Sequence, residues 1–85
     1  MQNPLDMNGK VVVVTGGARG VGAGITRCFL EAGAAVAIIG RTAPEATPAA
    51  AGLAATFHAA DVREHAQLAT AFDQILAQHG RIDVL

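Results

Sequence analysis

The chain has 85 residues, 52% of them hydrophobic and 15% charged, and its six basic and seven acidic side chains leave a formal net charge of −1. This length holds one small domain that buries only about 60–65% of its unfolded surface, and the apolar composition excludes a disordered chain. With no basic run and only Phe29, Phe57 and Phe72 as aromatics, the sequence gives nucleic acid no electrostatic or stacking surface.

Residues 1–9 form a polar lead-in kept irregular by Pro4 and Gly9. Lys10 to Thr15 (KVVVVT) is a β-branched run that predicts a strand buried on both faces, as in a parallel sheet. A helix follows the glycines after it. Val21, Ile25, Cys28, Phe29 and Ala32 fall on one apolar stripe, which predicts the buried face of that helix and makes Cys28 a buried small hydrophobe. Gly33 is its stop signal. Ala34 to Ile39 (AAVAII) predicts the second strand, ended by Gly40. Pro44, Pro48 and Gly52 interrupt the next segment, where a loop and a short helix near 46–54 are expected. Thr56 to Ala60 reads as a third strand. Asp61-Val62-Arg63 is a turn, and a helix over about 64–78 carries Leu68, Ala71, Phe72, Ile75 and Leu76 on one face. Gly80 ends it, and Ile82 to Leu85 begins a fourth strand.

Strands alternating with helices predict an α/β fold: a Rossmann-type parallel sheet with right-handed crossovers and helices on both faces. Wound from its first strand, the sheet has the order 3-2-1-4. A full domain of this kind has six or so strands. The 85 residues therefore read as the N-terminal part of one such domain, truncated in the fourth strand.

The stretch TGGARGVGAG, residues 15–24, lies between the first strand and the first helix. A helix start offers unpaired N–H groups and a positive dipole end, a ready site for a pyrophosphate when no side chain blocks its approach. Gly16 allows the tight turn off the strand. Gly20 and Gly22 allow close approach and close packing, and Val21 offers its backbone N–H. The spacing is neither G-x-G-x-x-G nor the Walker pattern, which needs a Lys followed by Ser or Thr. It is T-G-x-x-x-G-x-G, on Thr15, Gly16, Gly20 and Gly22.

That spacing resembles the cofactor motif of the short-chain dehydrogenase/reductase family, TGxxxGIG, with Val21 in place of Ile. Leu5 to Val11 looks like the family's lead-in to its first strand. Asp61-Val62 lies where members place an Asp beside the adenine ring, and Gly80 to Leu85 is similar to their approach to the fourth strand. The resemblance covers nearly the whole chain. It implies a parent enzyme, commonly a homo-oligomer, that transfers hydride between a nicotinamide cofactor and a small-molecule carbonyl or alcohol substrate.

An enzyme selecting NAD places an acid at the end of the second strand, on the ribose 2′-OH. Here Gly40 holds that place and Arg41 follows. A guanidinium attracts a 2′-phosphate and binds it bidentately. Arg19, inside the glycine turn, is a second cation on the same side. In family members that prefer NADP, basic residues at these two places hold that phosphate. Thr42 adds a hydroxyl, and the backbone at Ala18 lies near the adenosine ribose. The expected cofactor is NADP rather than NAD. Asp61 is either a cofactor contact or the cap of the following helix.

The catalytic set implied by the family is Tyr, Lys, Ser and Asn. The chain has no Tyr and no Ser, its only lysine is Lys10, and Asn3 and Asn8 lie in the lead-in, so no catalytic residue is assigned. His58, His65 and His79 show no metal-ligand spacing. The single Cys28 excludes an internal disulfide. With no apolar signal core in MQNPLDMNGK and no apolar run long enough for a bilayer, a cytoplasmic location is expected. The rival reading is a non-catalytic module that binds nucleotide weakly or pairs through its open sheet edge.

Overall fold

The β-branched run after Lys10 forms strand β1 (Val11–Thr15) in a computed structural model that describes residues 7–16, 20–43, 46–50 and 52–83. Helix α1 (Gly20–Glu31) follows, then β2 (Ala35–Gly40), a hairpin of β3 (Ala49–Ala50) and β4 (Leu53–Ala54), strand β5 (Thr56–Ala59) and helix α2 (His65–His79). The three main strands are parallel in the order β1-β2-β5. Val12 pairs with Val36 and Ile38 with Phe57. Counted as first, second and third strands, they give the predicted 3-2-1 part of the order. Asp83 donates its N–H to Val11 O at 2.9 Å, and the Val11 N–H donates to Asp83 Oδ2 at 2.9 Å. The chain after α2 thus arrives beside β1, where a fourth strand belongs. Residues 84–85 of that expected strand lie outside the described residues.

Because side chains alternate across a strand, the same residues build two cores. Val11, Val13, Ala37 and Ile39 pack with Ala71 and Ile75 of α2 on one face. Val12, Val36 and Ile38 pack with Leu30 of α1 on the other. Leu30, Ile38, Ile39 and Ile75 are fully buried, and each such side chain contributes about 1.5–3 kcal/mol. α1 ends as its glycine signal predicts. Gly33 has φ 97°, its N–H donates to Leu30 O, and the Ala34 N–H donates to Phe29 O, both at 3.0 Å. This is a left-handed C-terminal motif that satisfies the last carbonyls.

Two expectations are corrected. The predicted stripe is only in part the buried face: Phe29 packs against the core beside Leu30, whereas Val21 is 81% exposed, Ile25 44%, and Cys28 is exposed as well. α1 buries Thr26 and Leu30 instead. The periodicity of its large apolar residues therefore does not by itself give the roll of the helix against the sheet. Cys28 is therefore no core residue. In the segment 46–54 a hairpin stands where a short helix was expected. Ala49 pairs with Ala54 and Ala50 with Leu53. The intrinsic helix preference of alanine loses here, because Gly52 adopts φ 79° at the turn and the Ala55 N–H donates to Pro48 O at 3.0 Å across its base.

Candidate functional site

Parallel strands place their carboxyl ends on one edge, and ligands of open α/β sheets bind in the crevice outside that edge. Here the ends are held level by a Gly16 N–H to Ile39 O bond of 3.0 Å and an Ala60 N–H to Gly40 O bond of 2.9 Å. Above them lies a cavity of about 460 Å³. Thr15 and Gly16 form its β1 wall, Gly40 and Arg41 its β2 wall, and Asp61 to Arg63 the wall after β5.

The glycines keep the approach clear. Gly16 and Gly20 adopt φ 68° and 54°, and a Cβ built on either would meet nothing within 4 Å. Protein packing therefore does not demand glycine at these positions. The backbone conformation does, and the open space over it admits a ligand against main-chain N–H groups. α1 begins at Gly20 and brings the positive end of its dipole to the same edge.

The turn after β5 is the most tightly organised part of the site. Asp61 Oδ1 accepts the Arg63 backbone N–H at 3.0 Å and Arg63 Nε at 3.1 Å, and Oδ2 accepts Nη2 at 2.8 Å. The Asp61 N–H donates to Gln67 Oε1 at 2.9 Å, and the Glu64 N–H donates to Asp61 O at 2.9 Å. The Arg63 side chain, and next its backbone N–H, hold the Asp61 carboxyl down at about 2, with a smaller contribution from the charge of Arg41. The Arg63 guanidinium is pushed up in return. Asp61 closes its own turn and does not cap α2, whose N-cap is Glu64 without a side-chain bond.

Of the residues singled out from the sequence, Gly16, Arg41, Asp61 and Val62 converge on the cavity. Gly20, Val21 and Gly22 form the first turn of α1 and do not line it. Thr42 is exposed beside Arg41 and does not line it either. Ala18 and Arg19 lie outside the described residues. Sequence reasoning missed Arg63 as the partner of Asp61 and Gln67 as the acceptor for its backbone. An Asp-x-Arg turn opening a helix was the available signal.

Elsewhere, His58 and His79 approach Thr56 Oγ1 through Nε2 at 3.2 and 3.5 Å, and His58 Nδ1 lies 3.4 Å from Gln74 Oε1. Burial, and then the neighbouring His58, push His79 below its ordinary value. Among the described residues no group of three metal-ligating side chains occurs, and no helix is long and apolar enough to cross a membrane.

A family model described as short chain dehydrogenase matches residues 10–85. The chain belongs to the short chain dehydrogenase family. Relatives in that family include the sex determination protein tasselseed-2 of Zea mays, 43% identical over 84 residues, with 95% of this chain and 25% of that protein covered. Another is the L-fucose dehydrogenase of Bos taurus, 38% identical over 78 residues, covering 91% of this chain and 29% of that protein. Among solved structures, the NADPH-dependent 3-quinuclidinone reductase of Rhodotorula rubra superposes with a TM-score of 0.82 at 29% identity, covering 98% of this chain and 36% of that one. The chain thus spans about a quarter to a third of the length of these short chain dehydrogenases. The parallel sheet with helices on both faces is that of the family's Rossmann fold.

Proposed function

We propose that this chain is the adenosine-phosphate half of an NADP(H)-dependent short-chain dehydrogenase/reductase, the N-terminal part of a single dinucleotide-binding domain. The whole enzyme transfers hydride between the nicotinamide and a small-molecule carbonyl or alcohol. One observation carries the cofactor reading: at the end of β2, where an acid would take a ribose 2′-OH, the cavity has Gly40 and then an exposed Arg41. No hydrogen bond or ion pair ties Arg41 to another described residue. The NADPH-dependent neighbour is consistent with this reading. The rival reading of a non-catalytic module loses ground to the family match over residues 10–85.

The residues divide the work by position. The backbone from Gly16 to Gly22 receives the pyrophosphate at the start of α1. Asp61 and the backbone at Val62 hold the adenine edge, and Arg41, with Arg19 and Thr42, takes the 2′-phosphate. The bound dinucleotide supplies the hydride chemistry. The chain's own contribution is to fix the adenosine end and so the direction in which the nicotinamide extends. Tyr and Ser are absent from the chain, so proton transfer to substrate falls to residues outside these 85.

Titration with NADPH and NADH tests the assignment. A charge-assisted contact contributes about 1.5–3 kcal/mol, so wild type binds NADPH tenfold or more tighter than NADH. Arg41→Asp removes or inverts that preference. An unchanged preference in the variant removes Arg41 from the site.

A further inference from the structure

We infer that Arg63 is a positioning residue for coenzyme selection: by clamping Asp61 it keeps Arg41 available to a 2′-phosphate. This rests on the NADP-binding reading above and goes beyond it, since Arg63 touches no part of the proposed ligand in that reading.

Three ionic side chains, Arg41, Asp61 and Arg63, stand on the walls of one cavity. The Asp61 carboxylate shares this cavity with two guanidiniums and can pair side-on, through both oxygens, with only one of them at a time. Here the choice is one-sided. Both Asp61 oxygens are engaged by Arg63, at 3.1 Å through Nε and 2.8 Å through Nη2, in the bidentate geometry that favours arginine. The backbone N–H of Arg63 adds a third bond to Oδ1 at 3.0 Å. Arg41 is near enough for its charge to act on Asp61, yet it forms no bond to it.

The arrangement has an energetic consequence. Asp61 is ionised throughout the neutral range. An unclamped Asp61 carboxylate would face the cavity as a free anion. It would repel a 2′-phosphate and compete with that phosphate for Arg41. The short turn makes the clamp local: Asp61 and Arg63 are two residues apart, so the pair forms with the turn itself and needs no contact from the rest of the domain. Arg63 can hold the acid while its own side chain stays 74% exposed, with that of Asp61 at 20%. The pair neutralises one arginine and one acid, and Arg41 remains as the net positive charge of the wall.

The test compares the ratio of NADH to NADPH dissociation constants in the full chain and its variants, by calorimetric titration at fixed ionic strength. Arg63→Ala is expected to lower the ratio about tenfold, the effect of losing one charge-assisted contact. Asp61→Asn/Arg63→Ala is expected to restore it, because no anion is then left to capture Arg41. An unchanged ratio in Arg63→Ala overturns the inference. So does a double variant as impaired as the single one, which would make Arg63 a direct phosphate ligand or a purely structural residue. Arg63→Gln, which keeps a polar side chain with the same first three carbons but no charge, guards against a folding defect and is expected to match Arg63→Ala. If wild type binds neither coenzyme, the NADP-binding reading fails and takes this inference with it. Failure of the inference alone leaves wild-type preference intact.

Discussion

Helix α2 turns Ala71 and Ile75 into the sheet, with Leu68 and Phe72 packed beside them, whereas α1 turns in Thr26 and Leu30 and leaves Val21, Ile25 and Cys28 outside. Both helices cover the same strands, from opposite faces. α2 has one apolar stripe, and the stripe is its contact. α1 has an apolar stripe of which Phe29 packs against the core while Val21, Ile25 and Cys28 do not. Together with Met7 and Phe29 that outer stripe lines a second cavity of about 660 Å³. The difference teaches that apolar periodicity marks a face to be covered and does not say by what.

The largest effects should separate the two stripes directly. Ile75→Ala removes a fully buried side chain and is expected to cost about 2–5 kcal/mol in denaturant unfolding. Ile25→Ala, at 44% exposure, should cost well under half of that. Equal losses would break the contrast and show α1's outer face covered in solution.

The helix ends give a smaller contrast. Gly33 and Gly80 both close helices with φ near +90°, at 97° and 82°. A Cβ at Gly33 would run into Asn8 Oδ1 and Cγ, whereas at Gly80 it would meet nothing within 4 Å. Gly80→Ala therefore carries only the left-handed penalty of about 1 kcal/mol. Gly33→Ala adds the displacement of the exposed Asn8 side chain and should cost somewhat more, about 1–2 kcal/mol. Thermal melts of the two variants side by side check the order.

The smallest expected effect is a dependence on pH confined to α2 and β5. His79 titrates in the folded chain below its ordinary 6.5. The unfolded chain therefore binds the proton first, so stability is complete above about 6.5 and falls as pH drops through that value. Asp61 and Asp83 are also lowered, from 3.8, so their contributions hold through this window and are lost only in stronger acid. Melting temperature should be lower at pH 5.5 than at 7.5, and His79→Gln should flatten the difference. α1 contains no histidine and adds nothing to it.

β1 and β2 were legible because apolar runs rich in Val and Ile and bounded by glycine have few alternatives, and α2 because its one apolar stripe is also its contact. The roll of α1 was not legible, since its exposed and its buried apolar residues cannot be told apart by periodicity alone. The hairpin was hidden by alanines whose local preference is helical. Around the cavity, Gly16 and Arg41 could be read from their places after the first and second strands, and Asp61 from the resemblance to the short-chain dehydrogenases. Arg63 was marked only by its Asp-x-Arg spacing, and Gln67 by nothing local, because both reach Asp61 only once the turn at 61–64 has formed.

Where a crossover helix was expected, a ladder of two residue pairs, Ala49 with Ala54 and Ala50 with Leu53, shields Ala55 and Phe57. A shield that thin has few amides to protect and little apolar area holding it down. It can lift away in a local opening far cheaper than global unfolding. Water then reaches the flank of β5 on the α1 face while Ile39, packed with α2 on the other face, stays sealed, so the domain has a soft side and a hard side built on the same three strands.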